Sequence, residues 1–196
     1  MAHVCTRLLA VTAALVMAAC SAGSDSGAKP PVGAVGPSGL PVSTASARVV
    51  QPQPSPGSCR ARGSGLFALP DPRCTPGAVS PAVSQANLNS TICAYGYTSR
   101  IRPPESVSEP EKEASLRAYG DVGPLRDYEY DHLVPLELGG APNDPRNLWP
   151  EPGASPNPKD ALERRLRREV CEHRMTLAAA QHEIAAGWVT AYRRGA

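Results

Sequence analysis

The sequence predicts a small, irregular α+β domain that is held together by disulfide bonds and ends in helices. Proline and glycine contribute 22 and 17 of the 196 residues, so loops and turns make up much of the chain. A short segment rich in β-forming residues, Thr91 to Thr98, precedes the helical part. Leu162, Leu166 and Val170 recur every four residues, which predicts a helix with one apolar face.

The N-terminus has the features of an export signal. Arg7 is followed by an apolar run that ends in small residues just before Cys20. We expect residues 1–19 to be a signal peptide, because a run of about 12 apolar residues is too short to span a bilayer. The residues before Cys20 resemble a bacterial lipobox, which implies lipidation of Cys20 and anchoring to the outer face of the cell membrane. Secretion after ordinary cleavage is the alternative, since Met17 stands where leucine is more usual.

Residues 20–58 are predicted to be a disordered tether. They are rich in serine, glycine and proline, carry almost no charge and show no apolar period. Such a segment buries too little apolar surface to order itself.

The remaining cysteines are Cys59, Cys74, Cys93 and Cys171. In an exported protein an even number indicates disulfides, and four cysteines allow three connectivities. Our choice is Cys59–Cys74, which closes a short loop, and Cys93–Cys171, which ties the upstream region to the basic helix. Each bond is expected to stabilise the fold by about 2–4 kcal/mol.

Residues 59–120 are expected to form the N-terminal packing platform of the same domain. Thr91 to Thr98 predicts a short strand or an extended segment, and Glu109 to Tyr119 predicts a helix. Arg100 and Arg102 follow the predicted strand, and contact with a phosphate backbone is an alternative to a packing role.

Two helices are predicted near the C-terminus. The first begins around Lys159, after an asparagine, a proline and a nearby acid that form a good helix start. The second begins after Thr176, a good N-cap, and runs to Gly187 or a little beyond, with Trp188 and Tyr192 closing the core.

The candidate site lies between Tyr128 and Glu163. An Asp131-His132 pair is followed by a Gly-Gly turn, then by Asn147 within Asn-Leu-Trp, and then by Asn157. This pattern resembles the His-Asn-His (HNH) endonucleases. Upstream and downstream segments resemble one exported family of HNH-like proteins, over about residues 66–192. The resemblance implies a ββα-metal core and C-terminal helices within residues 121–196.

The resemblance also implies roles for the paired residues. His132 would be the general base, since a histidine near its ordinary pKa can deprotonate water at neutral pH. Asp131 would be a metal ligand, and Asn147 would orient the loop and the histidine. Neighbouring side chains on a regular strand point to opposite faces, so one shared metal site requires the strand to end or bend here.

Asn157 stands at the third position of the motif, where it would complete the metal site. The alternative is that it caps the helix, with Asp160 or Glu163 as substitute ligands. Oxygen ligands suit Mg²⁺ or Mn²⁺, and Zn²⁺ is the alternative.

A basic helix surface is the predicted contact with nucleic acid. It would bind phosphates without reading sequence, although a solvated helix face is the alternative. The predicted contacts are Lys159, Arg164, Arg165, Arg167 and Arg168.

These expectations describe an exported, metal-dependent, HNH-type endonuclease that cleaves DNA, and RNA as a further substrate, with little sequence specificity. The net charge of +2 is too small to indicate a nucleic-acid partner by itself. The alternative is a non-catalytic cell-surface lipoprotein that uses an HNH-like scaffold as a binding module. Nothing in the sequence indicates a protein partner, and we expect a monomer.

Overall fold

A computed structural model describes residues 33–121, 123–153 and 155–195. The predicted signal peptide and the lipidation site at Cys20 lie outside these ranges. The described chain combines a two-stranded sheet with α-helices and contains two disulfide bonds, so the predicted α+β class is confirmed. The elements are α1 (Tyr97–Ile101), α2 (Glu105–Tyr119), β1 (Tyr128–His132), β2 (Leu148–Pro152), α3 (Pro158–Cys171) and α4 (Leu177–Arg194).

Strands β1 and β2 form an antiparallel hairpin that leads directly into α3. Asp131 pairs with Trp149, and His132 pairs with Leu148 at the end of the ladder. The connecting loop turns at Gly139, whose φ of 72° favours glycine. At the next residue, Gly140, a Cβ atom would overlap the carbonyl oxygen of Val134. The glycine pair is therefore required by the tight path of this loop.

Helices α3 and α4 pack against each other and supply much of the core. The apolar stripe of α3 is buried as predicted, and it belongs to the same cluster as Ile184 and Trp188 of α4. Thr176 caps α4 by accepting a hydrogen bond from the Ala179 amide at 3.2 Å. Helix α4 continues to Arg194 with a local break at Gly187, where the predicted helix was expected to end.

The predicted strand over Thr91 to Thr98 is wrong. The segment is a series of turns, and α1 begins at Tyr97. The hydroxyl of Thr91 donates to the carbonyl oxygen of Asn87 at 2.7 Å, which favours a turn over an extended strand. The sheet in the described residues consists of β1 and β2, and residues 91–98 pair with neither strand, so their β propensity is not supported by strand pairing.

Helix α2 begins four residues earlier than predicted, at Glu105. It follows Pro104, its N-cap residue, and accommodates Pro110 within the helix. Proline at the end of an extended segment is compatible with a helix start, which the sequence reading had placed too late.

The tether prediction is also wrong for residues 33–58, which pack against the domain. The side-chain amide of Asn143 donates to the carbonyl oxygens of Ser46 and Val49 at 3.0 and 2.8 Å. The Gln51 amide donates to the buried carboxylate of Glu111 at 2.6 Å. This segment is ordered by hydrogen bonds to distant residues, and a search for apolar periodicity does not detect such bonds.

The two disulfides join the pairs that we selected. Cys59–Cys74 closes a loop with a sequence separation of 15, and Cys93–Cys171 spans 78 residues and ties the turn before α1 to the end of α3. None of the described helices combines the length and apolarity that a membrane span would need.

Candidate functional site

The end of β1 meets the first turn of α3 at the predicted Asp131-His132 pair. The ammonium nitrogen of Lys159 lies 2.8 Å from the carbonyl oxygen of His132 and 2.7 Å from Oδ2 of Asp131. The hairpin and the helix therefore converge on the residues that the motif identified.

Asn147 holds the loop between the strands. Its Oδ1 accepts hydrogen bonds from the amides of Val134 and Ala78 at 3.0 and 3.3 Å. Its Nδ2 donates to the carbonyl oxygens of Val134 and Ala141 at 2.9 and 3.0 Å. The side chain is fully buried. Its contacts are those of a loop-orienting residue.

His132 points away from Lys159, toward the loop. Its Nε2 lies 2.9 Å from the carbonyl oxygen of Pro142. Because a carbonyl can only accept, we assign the proton to Nε2, which leaves the lone pair on Nδ1. Nδ1 has no hydrogen-bond partner within the described ranges. Burial lowers the pKa of His132 to about 4, so the ring is neutral at pH 7.

Asn157 caps α3. Its Oδ1 accepts from the amides of Lys159 and Asp160 at 2.8 and 3.2 Å. Asp160 completes the capping box, because its Oδ2 accepts from the Asn157 amide at 2.8 Å. The oxygen of Asn157 and one of the two carboxylate oxygens of Asp160 are thus engaged by the start of the helix.

Lys159 is buried, with only 1% of its side chain exposed, so the prediction that it contacts nucleic acid is wrong. Besides Asp131, its ammonium group contacts Oε1 of Glu163 at 2.5 Å. Burial by itself lowers the pKa of Lys159, but the carboxylates of Asp131 and Glu163 raise it above its usual range. The ammonium is therefore charged inside the protein.

The predicted metal ligands do not fit a divalent ion in this arrangement. Asp131 and Glu163 already bind the ammonium of Lys159, and Asn157 and Asp160 form the helix cap. Within the described residues, no group of three or more His, Cys, Asp or Glu side chains is placed to hold a metal ion.

Two further acids, which the motif did not identify, lie beside this cluster. Glu129 and Glu151 face each other across the hairpin, on the same face as Asp131. Glu151 is only 2% exposed. Burial and the nearby Asp131 raise the pKa of Glu151, so it holds a proton at neutral pH. The period of two along both strands was the signal that could have found this pair, once their pairing was known.

Two clefts meet at His132. The acidic cleft has a volume of about 290 Å³, and five carboxylates outnumber two guanidinium groups in its lining: Glu129, Asp131, Glu137, Asp160 and Glu163 against Arg102 and Arg164. The tyrosine cleft, of about 360 Å³, is lined by Tyr128, Tyr130, Pro142 and Leu148 among others. Both His132 and the exposed Arg102 line both clefts.

The arginines of α3 divide into two groups. Arg165 and Arg167 donate to the carbonyl oxygens of Ala191 and Ile92 at 3.0 and 2.9 Å, so they join α3 to other parts of the fold. Arg164 and Arg168 are exposed, and Arg164 lines the acidic cleft. The predicted basic surface is thus smaller than the sequence suggests.

No protein-family model matches this chain, and neither curated proteins nor solved structures give a significant match. Functional inference must therefore begin from the geometry of the site.

Proposed function

We propose that this protein is an exported endonuclease that hydrolyses phosphodiester bonds of DNA, and of RNA as a further substrate, from an HNH-like ββα core. One observation carries the proposal. His132 ends a strand at the junction of two clefts, with Nε2 bound to the Pro142 carbonyl and the lone pair on Nδ1. The ring is neutral at pH 7 and a backbone carbonyl fixes its tautomer, so Nδ1 can accept a proton, but its pKa of about 4 makes it a weaker base than an ordinary histidine.

His132 would act on water. Nδ1 takes a proton from a water molecule, and the water oxygen forms a bond to phosphorus. The bond to the leaving sugar oxygen breaks, and that oxygen keeps the electron pair and takes a proton from solvent. Asn147 supports this step indirectly, because it fixes the loop that carries the Pro142 carbonyl.

Two arginines and two tyrosines near His132 offer contacts to a nucleic-acid strand. Arg102 is exposed beside His132 and can pair with the phosphate, and Arg164 supplies a second positive charge in the acidic cleft. Tyr128 and Tyr130 line the other cleft, and tyrosine rings are surfaces on which bases stack without sequence preference.

Export is part of the proposal. Disulfides persist in oxidising compartments, and the part of the chain that the structure describes contains two. Lipidation of Cys20 would hold the enzyme at the outer face of the cell membrane, where its substrate would be extracellular nucleic acid. The motif predicts dependence on Mg²⁺ or Mn²⁺, but the residues that it names as ligands bind Lys159 or cap α3, so this dependence is tested separately from the role of His132.

Nicking of supercoiled plasmid by the purified full chain tests the proposal. Wild type should convert the plasmid to open-circular and linear forms. His132→Ala should slow this by about 10²–10⁴-fold, because it removes the general base. His182→Ala is the matched control, since this histidine is exposed on α4 away from the clefts.

Each reaction is run with Mg²⁺, with Mn²⁺ and with EDTA, which tests the metal expectation separately. Equal cleavage by wild type and His132→Ala would contradict the assigned role of His132. No cleavage under any condition would contradict the enzyme proposal itself.

Binding without catalysis is the second candidate, and the charge of the acidic cleft favours it. Its excess of carboxylates repels a phosphate and attracts a cationic ligand. A wild-type protein that cleaves nothing but binds a cationic peptide, with affinity that falls as salt rises, would support this alternative.

A further inference from the structure

We infer that Lys159 is the resident cation of this site: its ammonium group occupies the position that a divalent metal ion would otherwise take between the end of β1 and α3. The inference concerns the site on which the proposed function rests. Its readout is cation binding, so a failure of nuclease activity would not decide it.

Three oxygens surround the ammonium nitrogen of Lys159: Oδ2 of Asp131 at 2.7 Å, Oε1 of Glu163 at 2.5 Å and the carbonyl oxygen of His132 at 2.8 Å. The ammonium group donates hydrogen bonds to Glu163 and to the carbonyl of His132, whereas Oδ2 of Asp131 is close enough for an ion pair but is not aligned for a hydrogen bond. Two carboxylates and a backbone carbonyl are also the ligands that hard divalent cations prefer, at roughly 2.0–2.6 Å.

Two of the three oxygens come from the end of β1, and the third comes from α3. Asp131 and His132 are consecutive, so their side chains leave the strand on opposite faces. The strand therefore offers a carboxylate and a carbonyl to the helix and directs the imidazole ring toward Pro142. Glu163 adds the third oxygen from one turn further along the same helix as Lys159.

Lys159 and its two acidic partners are largely enclosed by the protein. The side chain of Lys159 is 1% exposed, and those of Asp131 and Glu163 are 13% exposed. A charge enclosed to this degree must be balanced by its neighbours, and removing one partner leaves the others uncompensated. Nearby, Oε2 of the buried Glu151 has no hydrogen-bond partner within the described ranges. Without Lys159, the pocket would contain the oxygens of Asp131, Glu163 and the His132 carbonyl and no side-chain cation within ion-pair distance among the described residues.

Lys159 is accordingly a positioning residue. It neutralises Asp131 and fixes the carbonyl of His132, and it does not itself reach the clefts. In this arrangement a divalent ion would have to displace a covalently attached cation.

The test measures Mn²⁺ binding to the full chain by the loss of the free-ion electron paramagnetic resonance signal. Wild type should bind no Mn²⁺ at this site. Lys159→Ala should bind one ion, because the variant leaves the carboxylates without their cation. Adding Glu163→Gln to Lys159→Ala should weaken that binding at least about tenfold, since a charged oxygen ligand is lost. Lys112→Ala is the matched lysine control and should behave like wild type.

Thermal unfolding provides a second readout. Lys159→Ala should unfold at a lower temperature than wild type in EDTA. It should gain about 5–10 °C when Mn²⁺ is present at about 100 times its dissociation constant, and wild type should not respond.

Two results would overturn the inference. One is stoichiometric Mn²⁺ binding by wild type that Glu163→Gln abolishes, because the site would then take a metal alongside Lys159. The other is a Lys159→Ala protein that binds no Mn²⁺, whether it is folded or fails to fold when Mn²⁺ is supplied, because a divalent ion would then be unable to replace the ammonium.

Discussion

At the scale of single residues, one buried cation separates the two halves of the motif. Asp131 and His132 are adjacent in sequence, but Asp131 binds Lys159 while His132 binds the Pro142 carbonyl. The carboxylate therefore pairs with a buried cation and lines only the acidic cleft, whereas the imidazole lines both clefts. Adjacency in the motif would not by itself have assigned these separate environments.

The pH dependence of stability should reveal the burial of His132. Its folded-state pKa of about 4 lies below the ordinary value of 6.5. As pH falls through this window, the unfolded chain takes up a proton that the folded protein refuses, so the free energy of unfolding falls by about 3 kcal/mol in total. Above pH 6.5 this contribution is constant.

Urea unfolding at about pH 4 and about pH 7 measures this effect. The free energy of unfolding should change less between these two pH values in His132→Gln than in wild type, by about 3 kcal/mol. His182→Gln changes an exposed histidine and should keep the wild-type difference. An unchanged pH dependence in His132→Gln would mean that His132 titrates normally in the folded protein.

At the scale of elements, the first turn of α3 has two tasks. Its cap, formed by Asn157 and Asp160, satisfies the free amides of the helix start. Lys159, which lies between these two residues in the sequence, carries a charge inward to the end of β1. Asn157, which the motif predicted to bind a metal, is therefore the cap of α3. Lys159, which was predicted to lie on the surface, is buried.

Substitutions at Asn157 test its role as a cap. Asn157→Ala should lower the free energy of unfolding by about 1 kcal/mol. Asn157→Ser should lower it much less, because serine is also a good N-cap. Both are measured by urea unfolding in EDTA. Asn89→Ala, at an exposed position, should have little effect. Equal losses for the serine and alanine variants would be inconsistent with capping.

At the scale of the whole molecule, distant segments are joined by covalent and polar links. Cys93–Cys171 connects the turn before α1 to the end of α3, and Arg167 donates to the carbonyl of Ile92 beside it. Residues 33–58 are attached through Asn143 and Glu111. The site thus lies among described segments that are linked to one another across long stretches of sequence.

The longer disulfide should stabilise the fold more. Chain entropy predicts about 4.5 kcal/mol for a loop of the length closed by Cys93–Cys171 and about 3 kcal/mol for that closed by Cys59–Cys74. Replacing each pair with alanines and measuring urea unfolding compares the two values. A larger loss on removing Cys59–Cys74 would show that loop length does not set the order.

Local sequence was sufficient for the features that depend on near neighbours. The four-residue spacing of Leu162, Leu166 and Val170 predicted α3, and Thr176 predicted the start of α4, because periodicity and capping act within a few residues. The Asp-His pair was likewise located at the end of a strand beside a helix start.

Only the tertiary structure decided which charges are enclosed and which distant groups meet. The sequence around Lys159 predicts a surface residue, but the end of β1 covers it in the folded protein. Glu151 lies beside the other acids only because β1 pairs with β2. Residues 33–58 gain order from Asn143, about a hundred residues away along the chain. Burial, ion pairing and long-range hydrogen bonds depend on contacts between segments that no local pattern encodes.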